Sequence, residues 1–312
     1  MATPSVSKTA ARAEPVTQVK RSTEQLILSV VARYAIFILL TALFVFPIVF
    51  MIMSSFKPKE QIFEDMRSLN AFLPVGHISL DNYGTVFTNS KFPRFVFNSL
   101  GMAAVQIVLG MFVNSLAAYA LSRLKWRGQK MVLTVIIATM IIPAETILIP
   151  LLLLVAHLPN LSLDKGVALT TGWLNTYQVQ IIPFLAGAYS IFLFYQFFQE
   201  IPKELDEAAL IDGASRFQIY RHIIIPISGP VFATVAILTF QGAWNSFLWP
   251  IMTVQSEELR PVMVGMQYFF QQEPQWGAIM AYATLVTLPV LLLFLLFQGA
   301  FVKSVASSGI KG

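Results

Sequence analysis

The sequence predicts an all-α polytopic membrane protein with six membrane-spanning helices, and three observations predict it. The 312 residues are 56% hydrophobic and only 12% charged, with a mean hydropathy of +0.68, whereas soluble domains carry about 25% charged residues. Apolar runs long enough to cross a hydrocarbon core of about 30 Å occur six times. The 21 Lys and Arg residues sit in short segments between those runs. A net charge of +5 spread in this way forms no basic face for nucleic acid. Lipid is therefore the main solvent for the chain.

Taken in order, residues 1–30 are polar and rich in Ala, Ser, Thr and basic residues. They read as a cytoplasmic tail, disordered to about residue 22. No secretory signal is expected there, because the first apolar run is long enough to span and no small-residue cleavage site follows it. That run, 34–53, lies in a first helical unit, 31–56, followed by an external loop, 57–93. A core over 94–303 holds the runs 95–121, 131–155, 181–198, 231–252 and 279–302, and residues 304–312 form a C-terminal tail. The second run exceeds what a span needs, so its helix is expected to tilt or project. Pro47, Pro143, Pro150 and Pro289 fall inside the runs. Each removes a backbone donor, and the close pair at 143 and 150 predicts a bent or opened third helix. With no cysteine there is no disulfide, thiol chemistry or Cys-ligated metal.

Orientation follows from counting cations by segment. With six spans, 14 Lys and Arg fall on the side of the termini and 7 on the other. The richer side is cytoplasmic, so both termini and the loop 199–226 are expected inside. The first external loop weakens the asymmetry, since it carries Lys57, Lys59, Arg67, Lys91 and Arg94.

The loop 199–226 is abruptly polar and reads as a helix, a turn and a second helix. Pro202 suits the opening of a helix, and Glu204, Asp206 and Glu207 complement the positive end of its dipole. Ala208 and Ala209 leave a narrow face for close approach, and Gly213 supplies the turn. Phe217, Ile219 and Tyr220 are the expected apolar anchors of the second helix, and Pro226, Gly229 and Pro230 end it.

The run Glu207-Ala208-Ala209, then Gly213, Ile223 and Pro226, has the spacing EAA-x3-G-x9-I-x-x-P. It resembles the signature of importer-type ABC permeases. Further likeness covers residues 54–312 and points to carbohydrate-importer permeases of the maltose-permease G class, with the type I importer fold. It lies in Ser54-Ser55-Phe56-Lys57, Asn98-Ser99, the run from Ala118 to Arg123, Pro143 and Pro150. It continues through Trp244-Asn245, Phe247, Trp249-Pro250, Pro289 and the terminal Gly309-Ile310-Lys311-Gly312. Gly299-Ala300 after Gln298 departs from the class.

The resemblance implies a transport subunit of a bacterial inner membrane, not an enzyme. Its coupling helix, with Glu207, Ala208, Ala209, Asp212, Gly213, Ile223 and Pro226, would dock on a separate ATPase. The implied partners are a second permease subunit, an ATPase homodimer, an external binding protein and a sugar. ATP and Mg would be bound by the ATPase and no cofactor by this chain. In keeping with that, the sequence contains no G-x-x-x-x-G-K-[ST] phosphate loop.

Polar residues inside the runs are candidates for a substrate path. Glu145 is the acidic one, between Pro143 and Pro150, and reads either as a packing group or as a path residue. Asn114, Gln106, Gln241 and Asn245 can meet sugar hydroxyls or join helices to one another. Gln241 and Asn245 share a helix face with Phe240 and Trp244 one step round, and aromatic surface beside amides suits a sugar ring. His77, His157 and His222 share no ligand spacing, so no metal site is expected. Competing readings are uptake of glycerol phosphate or a polyol, and a proton-coupled transporter using Glu145. The spans carry no basic residue, which favours a neutral sugar.

Overall fold

The computed structural model describes residues 23–162, 168–270 and 273–309. Most of the expected N-terminal tail, Lys165 and residues 310–312 lie outside the described residues. The chain divides into two units, 1–50 and 51–312. The described part of the first belongs to α1 (Thr23–Ser55), so the helix already includes residues 23–30, which the sequence reads as tail. No Asp, Glu, Lys, Arg or His interrupts it between Arg33 and Lys57.

The second unit is built around α4 (Phe92–Arg123), 32 residues long. Its buried stripe, from Phe92 and Phe95 through Ser99, Ala103, Gln106, Gly110 and Asn114 to Ala118 and Ser122, advances by three or four positions. Those are the spacings of a single helix face. The buried face carries the amides and hydroxyls, while Phe97, Val108 and Phe112 point outward. Water would enforce the reverse, so this distribution is the local signature of a helix that lipid surrounds.

Ser122 bonds within its own helix, but the other polar groups on that face hold neighbouring segments. Asn98 donates to the carbonyls of Glu258 and Arg260 at 2.8 and 3.0 Å, and Ser99 Oγ accepts from the Val262 amide at 2.8 Å. Gln106 donates to the Gln180 carbonyl at 2.8 Å. At Gly110 a Cβ would stand 3.2 Å from the Leu185 carbonyl oxygen, so a larger residue there would push the neighbouring chain away.

Around α4 lie α2 (Lys59–Asp65), α3 (Asp81–Asn89), α5 (Gln129–Thr139), α6 (Ala144–His157), α7 (Tyr177–Ile181) and α8 (Ala188–Glu200). They are followed by α9 (Glu204–Ile211), α10 (Arg216–Ile219), α11 (Ile225–Ile227), α12 (Gly229–Trp244), α13 (Leu248–Thr253), α14 (Val262–Gly265) and α15 (Trp276–Gly309). Four described segments are long and apolar enough to span: Ile27–Ser55, Phe92–Arg123, Tyr177–Glu200 and Trp276–Leu296. Two more spans arise if bent pairs are counted, α5 with α6 at 104° and Arg216–Ile227 with α12 at 80°. The first bend is the predicted opening of the third helix, with Pro143 as N-cap of α6. Pro47, Pro150 and Pro289 stay inside helices.

One expectation needs correction. The fifth run, 231–252, is not one helix: α12 ends at Trp244, where the Asn245 amide bonds the Gln241 carbonyl at 3.1 Å, and α13 starts anew at Leu248. The helical fold also carries one short hairpin among the described residues, β1 (Pro159–Ser162) paired antiparallel with β2 (Ala168–Thr171). The Trp173 indole N–H braces it by donating to the Pro159 carbonyl at 2.8 Å.

Four of the five cations in residues 57–94 lie beside carboxylates. The Lys57 ammonium is 1% exposed and sits 2.8 Å from Asp65 and 2.6 Å from the Asn70 carbonyl. Lys59 pairs with Glu273 at 2.6 Å, and Lys91 pairs with Glu258 at 2.5 Å and Glu257 at 3.1 Å. Arg94 lies 3.9 Å from Glu258. These cations stay at the Lys91 end of α4 because carboxylates there balance them, which is why they blur a count of basic residues alone.

Candidate functional site

The loop between α8 and α12 is locally determined. α9 begins after Pro202 with Lys203 as N-cap, and Glu204, Asp206 and Glu207 fill its first turn, where the helix dipole favours negative charge. It ends in a Schellman motif: the Gly213 amide bonds the Leu210 carbonyl at 3.1 Å and the Ala214 amide the Ala209 carbonyl at 2.9 Å. Gly213 has φ +83°, which a side chain would strain. α10 opens with a capping box in which Ser215 Oγ accepts from the Gln218 amide and the Gln218 side chain accepts from the Ser215 amide. A π turn, Tyr220–Ile224, and α11 then lead to the bend, where Ser228 Oγ donates to the Ile224 carbonyl at 2.6 Å.

This geometry sorts the loop into two faces. Asp206, Ile219, Tyr220 and Ile224 are buried, and Ala209 and Ile223 are half-buried against the same apolar cluster with Phe194 and Phe198. Glu207, Ala208, Asp212, Gly213 and Pro226 are exposed. So are Ile211, at 86%, and Phe217, at 55%. Phe217 is thus not the inward anchor the sequence suggested; Ile219 and Tyr220 fill that role. Ile211 was missed, although an isoleucine three residues beyond Ala208 falls on the same face as that alanine. Two large apolar side chains standing among acids on a closed turn form a surface suited to another protein.

The candidate path residues are dispersed. Glu145 is exposed in the first turn of α6, directly after the 104° break. Gln241 and Asn245 are exposed at the end of α12. Asn114 and Trp244 require correction. The Asn114 amide donates to Gly110 and Leu185 carbonyls at 2.6 and 2.9 Å and accepts from the Gly187 amide at 2.9 Å, so helix packing consumes it. Trp244 is 1% exposed, stacked on Phe240 at 5.4 Å and part of one apolar cluster with Phe92, Val262 and Tyr282, leaving no ring face open.

A different set of polar groups converges instead. A cavity of about 300 Å³ opens between α4, the start of α8 and α12, lined by Gln106, Tyr189, Ser190, Thr239, Gly242 and Ser246, among others. Its lining holds amide and hydroxyl groups and no ionisable acid, base or histidine. A Cβ added to Gly242 would meet nothing within 4 Å. The sequence signal for this site was faint, because Ser, Thr and Gly are ordinary helix-packing residues in membranes.

At the opposite end of α4 the electrostatics are simple. Hydrogen bonds from Lys91 to Glu258 and Glu257 hold its ammonium above the usual lysine range, and the Lys91 bond holds the Glu257 carboxyl below the usual carboxylate range.

Comparison with known proteins gives this geometry a context. Residues 106–307 match the family model described as binding-protein-dependent transport system inner membrane component. A probable ABC transporter permease protein of Bacillus subtilis is 32% identical over 271 residues, covering 86% of this chain and 84% of that protein. The trehalose/maltose transport system permease protein MalG of Thermococcus litoralis is 31% identical, covering 88% and 94%. The lactose transport system permease protein LacG of Rhizobium radiobacter is 28% identical, covering 89% and 95%. A solved bacterial ABC transporter involved in import of the acidic polysaccharide alginate superimposes with a TM-score of 0.74. The match covers 89% of this chain and 98% of that one at 22% identity, and so speaks for the fold. By sequence and by fold, this multi-pass chain belongs to the binding-protein-dependent transport inner membrane component family.

Proposed function

We propose that the chain is the membrane subunit of an ATP-driven importer of a sugar or oligosaccharide, and that the loop 199–226 docks on a separate ATPase. The carrying observation is the capped turn that turns Glu207, Ala208, Ile211 and Asp212 outward while Asp206, Ile219 and Tyr220 fix it inward. A turn closed by internal bonds on its own side needs a partner only for its outer face. The excess of cations supports this loop and both termini lying in the cytoplasm, and the Lys91 end of α4 lying outside, where a binding protein would deliver its load. ATP and Mg belong to the ATPase, and a second permease subunit completes the path. Relatives named for trehalose/maltose and lactose transport support a carbohydrate. The neutral lining of the cavity supports an uncharged one, because hydroxyls and amides exchange hydrogen bonds with sugar hydroxyls without desolvating a charge.

The test is assembly. Tagged protein should co-purify from membranes with an ATP-hydrolysing subunit, and Gly213→Val should lose that subunit while still inserting. Strain at a positive φ of about 1–3 kcal/mol is enough to redirect the turn. Retention of the ATPase by Gly213→Val and by Glu207→Ala would contradict the docking role.

A further inference from the structure

Ser115, Tyr119 and Arg123 stand at i, i+4 and i+8 on α4, one above the other on a single face. All three reach the docking loop. Ser115 Oγ and the Tyr220 hydroxyl share a hydrogen bond of 2.7 Å. The Tyr119 hydroxyl donates to the Arg216 carbonyl at 2.9 Å. Arg123 Nη1 donates to Asp206 Oδ2 at 3.3 Å, and its Nη2 donates to the Phe198 and Ile201 carbonyls at 2.5 and 2.6 Å. Three points of the loop are thereby tied to one helix edge: the first turn of α9, the start of α10 and the π turn. Arg123 also satisfies carbonyls at the C-terminal end of α8, where no intrahelical donor remains.

The Arg123 and Asp206 side chains are 1% and 10% exposed. A buried ion pair adds little net stability over apolar packing of similar volume. It does add geometry, because a planar guanidinium fork bound to two carbonyls and a carboxylate holds three helix ends at fixed separation. The same helix, nearly five turns from Arg123, carries Gln106 in the wall of the cavity. Further still it holds the 258–262 segment through Asn98 and Ser99.

We propose that α4 is the transmission rod of the transporter, and that Ser115, Tyr119 and Arg123 are the positioning residues that couple movement of the docking loop to the cavity wall. This rests on the reading of the loop as an ATPase docking site. A close-packed helix moves as a body rather than deforming, so displacement of α9 and α10 by the ATPase shifts Gln106 with them.

The test uses the complete reconstituted transporter with its binding protein. Asp206→Asn keeps the shape, and Arg123 keeps both carbonyls; Tyr119→Phe removes one hydroxyl. Both variants should still co-purify with the ATPase. Sugar imported per ATP hydrolysed should fall about tenfold for Asp206→Asn and about threefold to fivefold for Tyr119→Phe. Asp206→Glu, which retains the charge, should recover part of that ratio. An unchanged ratio in both variants overturns the proposal. So does loss of the ATPase from either, because the residues would then only shape the docking surface. A Gly213→Val protein that keeps its ATPase overturns the docking reading itself, an outcome separable from the ratio.

Discussion

The two ends of α4 are held in opposite ways. At the Lys91 end the pairs that Lys91 itself makes are exposed: Lys91 and Glu258, 2.5 Å apart, have side chains 47% and 55% exposed, while the neighbouring Lys57–Asp65 pair is buried. At the other end Arg123 and Asp206, 3.3 Å apart, are 1% and 10% exposed. Exposed pairs are screened and individually weak, whereas removing one partner of a buried pair strands a charge in low dielectric. The Lys91–Glu258 contact can therefore rearrange at little cost, which is what the proposed meeting and release of a binding protein would need. The other end is bound tightly to the loop, as the proposed mechanical joint would need.

The middle of α4 gives the largest expected effect, because a blocked path needs no weakened joint. Gly242→Leu places a side chain in open space within the cavity, and leucine is the better helix former by about 0.8 kcal/mol. Complex yield should hold while sugar uptake falls by more than about tenfold through steric exclusion. Undiminished uptake would place the sugar elsewhere. Lost association with the second permease would make the cavity a subunit interface instead.

The joint itself comes next. Arg123→Ala should destabilise the subunit by about 3–5 kcal/mol, the cost of leaving a buried partner unpaired. Thermal unfolding in detergent would show it, and added salt should change the difference little. Lys91→Ala should shift the same midpoint far less, and high salt should erase that shift. Equal effects at the two ends would break the comparison.

Glu145 belongs to neither end. If it hydrogen-bonds a sugar hydroxyl, Glu145→Leu should lose more uptake than Glu145→Gln, by about 1.5–3 kcal/mol in apparent binding. A proton carrier reverses the order, since the amide cannot titrate. Full activity in Glu145→Leu would leave it a helix-terminus residue whose carboxylate answers the α6 dipole.

The smallest effect is pH. Glu257 is lowered from 4.5 by its bond to Lys91, so that pairing stabilises above the ordinary carboxylate range and is lost as pH falls through the lowered value. Lys91 is raised from 10.5 by its bonds to Glu258 and Glu257, so its contribution is present below that value and lost as pH rises through the raised one. Between the two, binding-protein affinity at this end should be flat with pH. A step near neutrality would mean that another group governs it.

What the sequence made legible divides along the same line. The six apolar runs, the Pro143 break and the Gly213 turn were readable because lipid solvation, a missing donor and a positive φ each act within a few residues. The inward fate of Asn114 and Trp244 was not, since their partners, Leu185 and Phe92, lie far along the chain. Arg123 illustrates both cases. As one of four cations in a short connection it contributed to topology, but nothing in its neighbours announced Asp206, Phe198 and Ile201 as its ligands. The break after Trp244 was hidden because Asn245 and Ser246 interrupt an otherwise apolar run only briefly.

Sugar uptake into liposomes tests the central claim most directly. The chain reconstituted alone should move no sugar, with or without ATP or a proton gradient. With the second permease, the ATPase and the loaded binding protein, uptake should require ATP and disappear in Gly213→Val. Uptake by the chain alone under a proton gradient, or ATP-driven uptake that survives Gly213→Val undiminished, would contradict it.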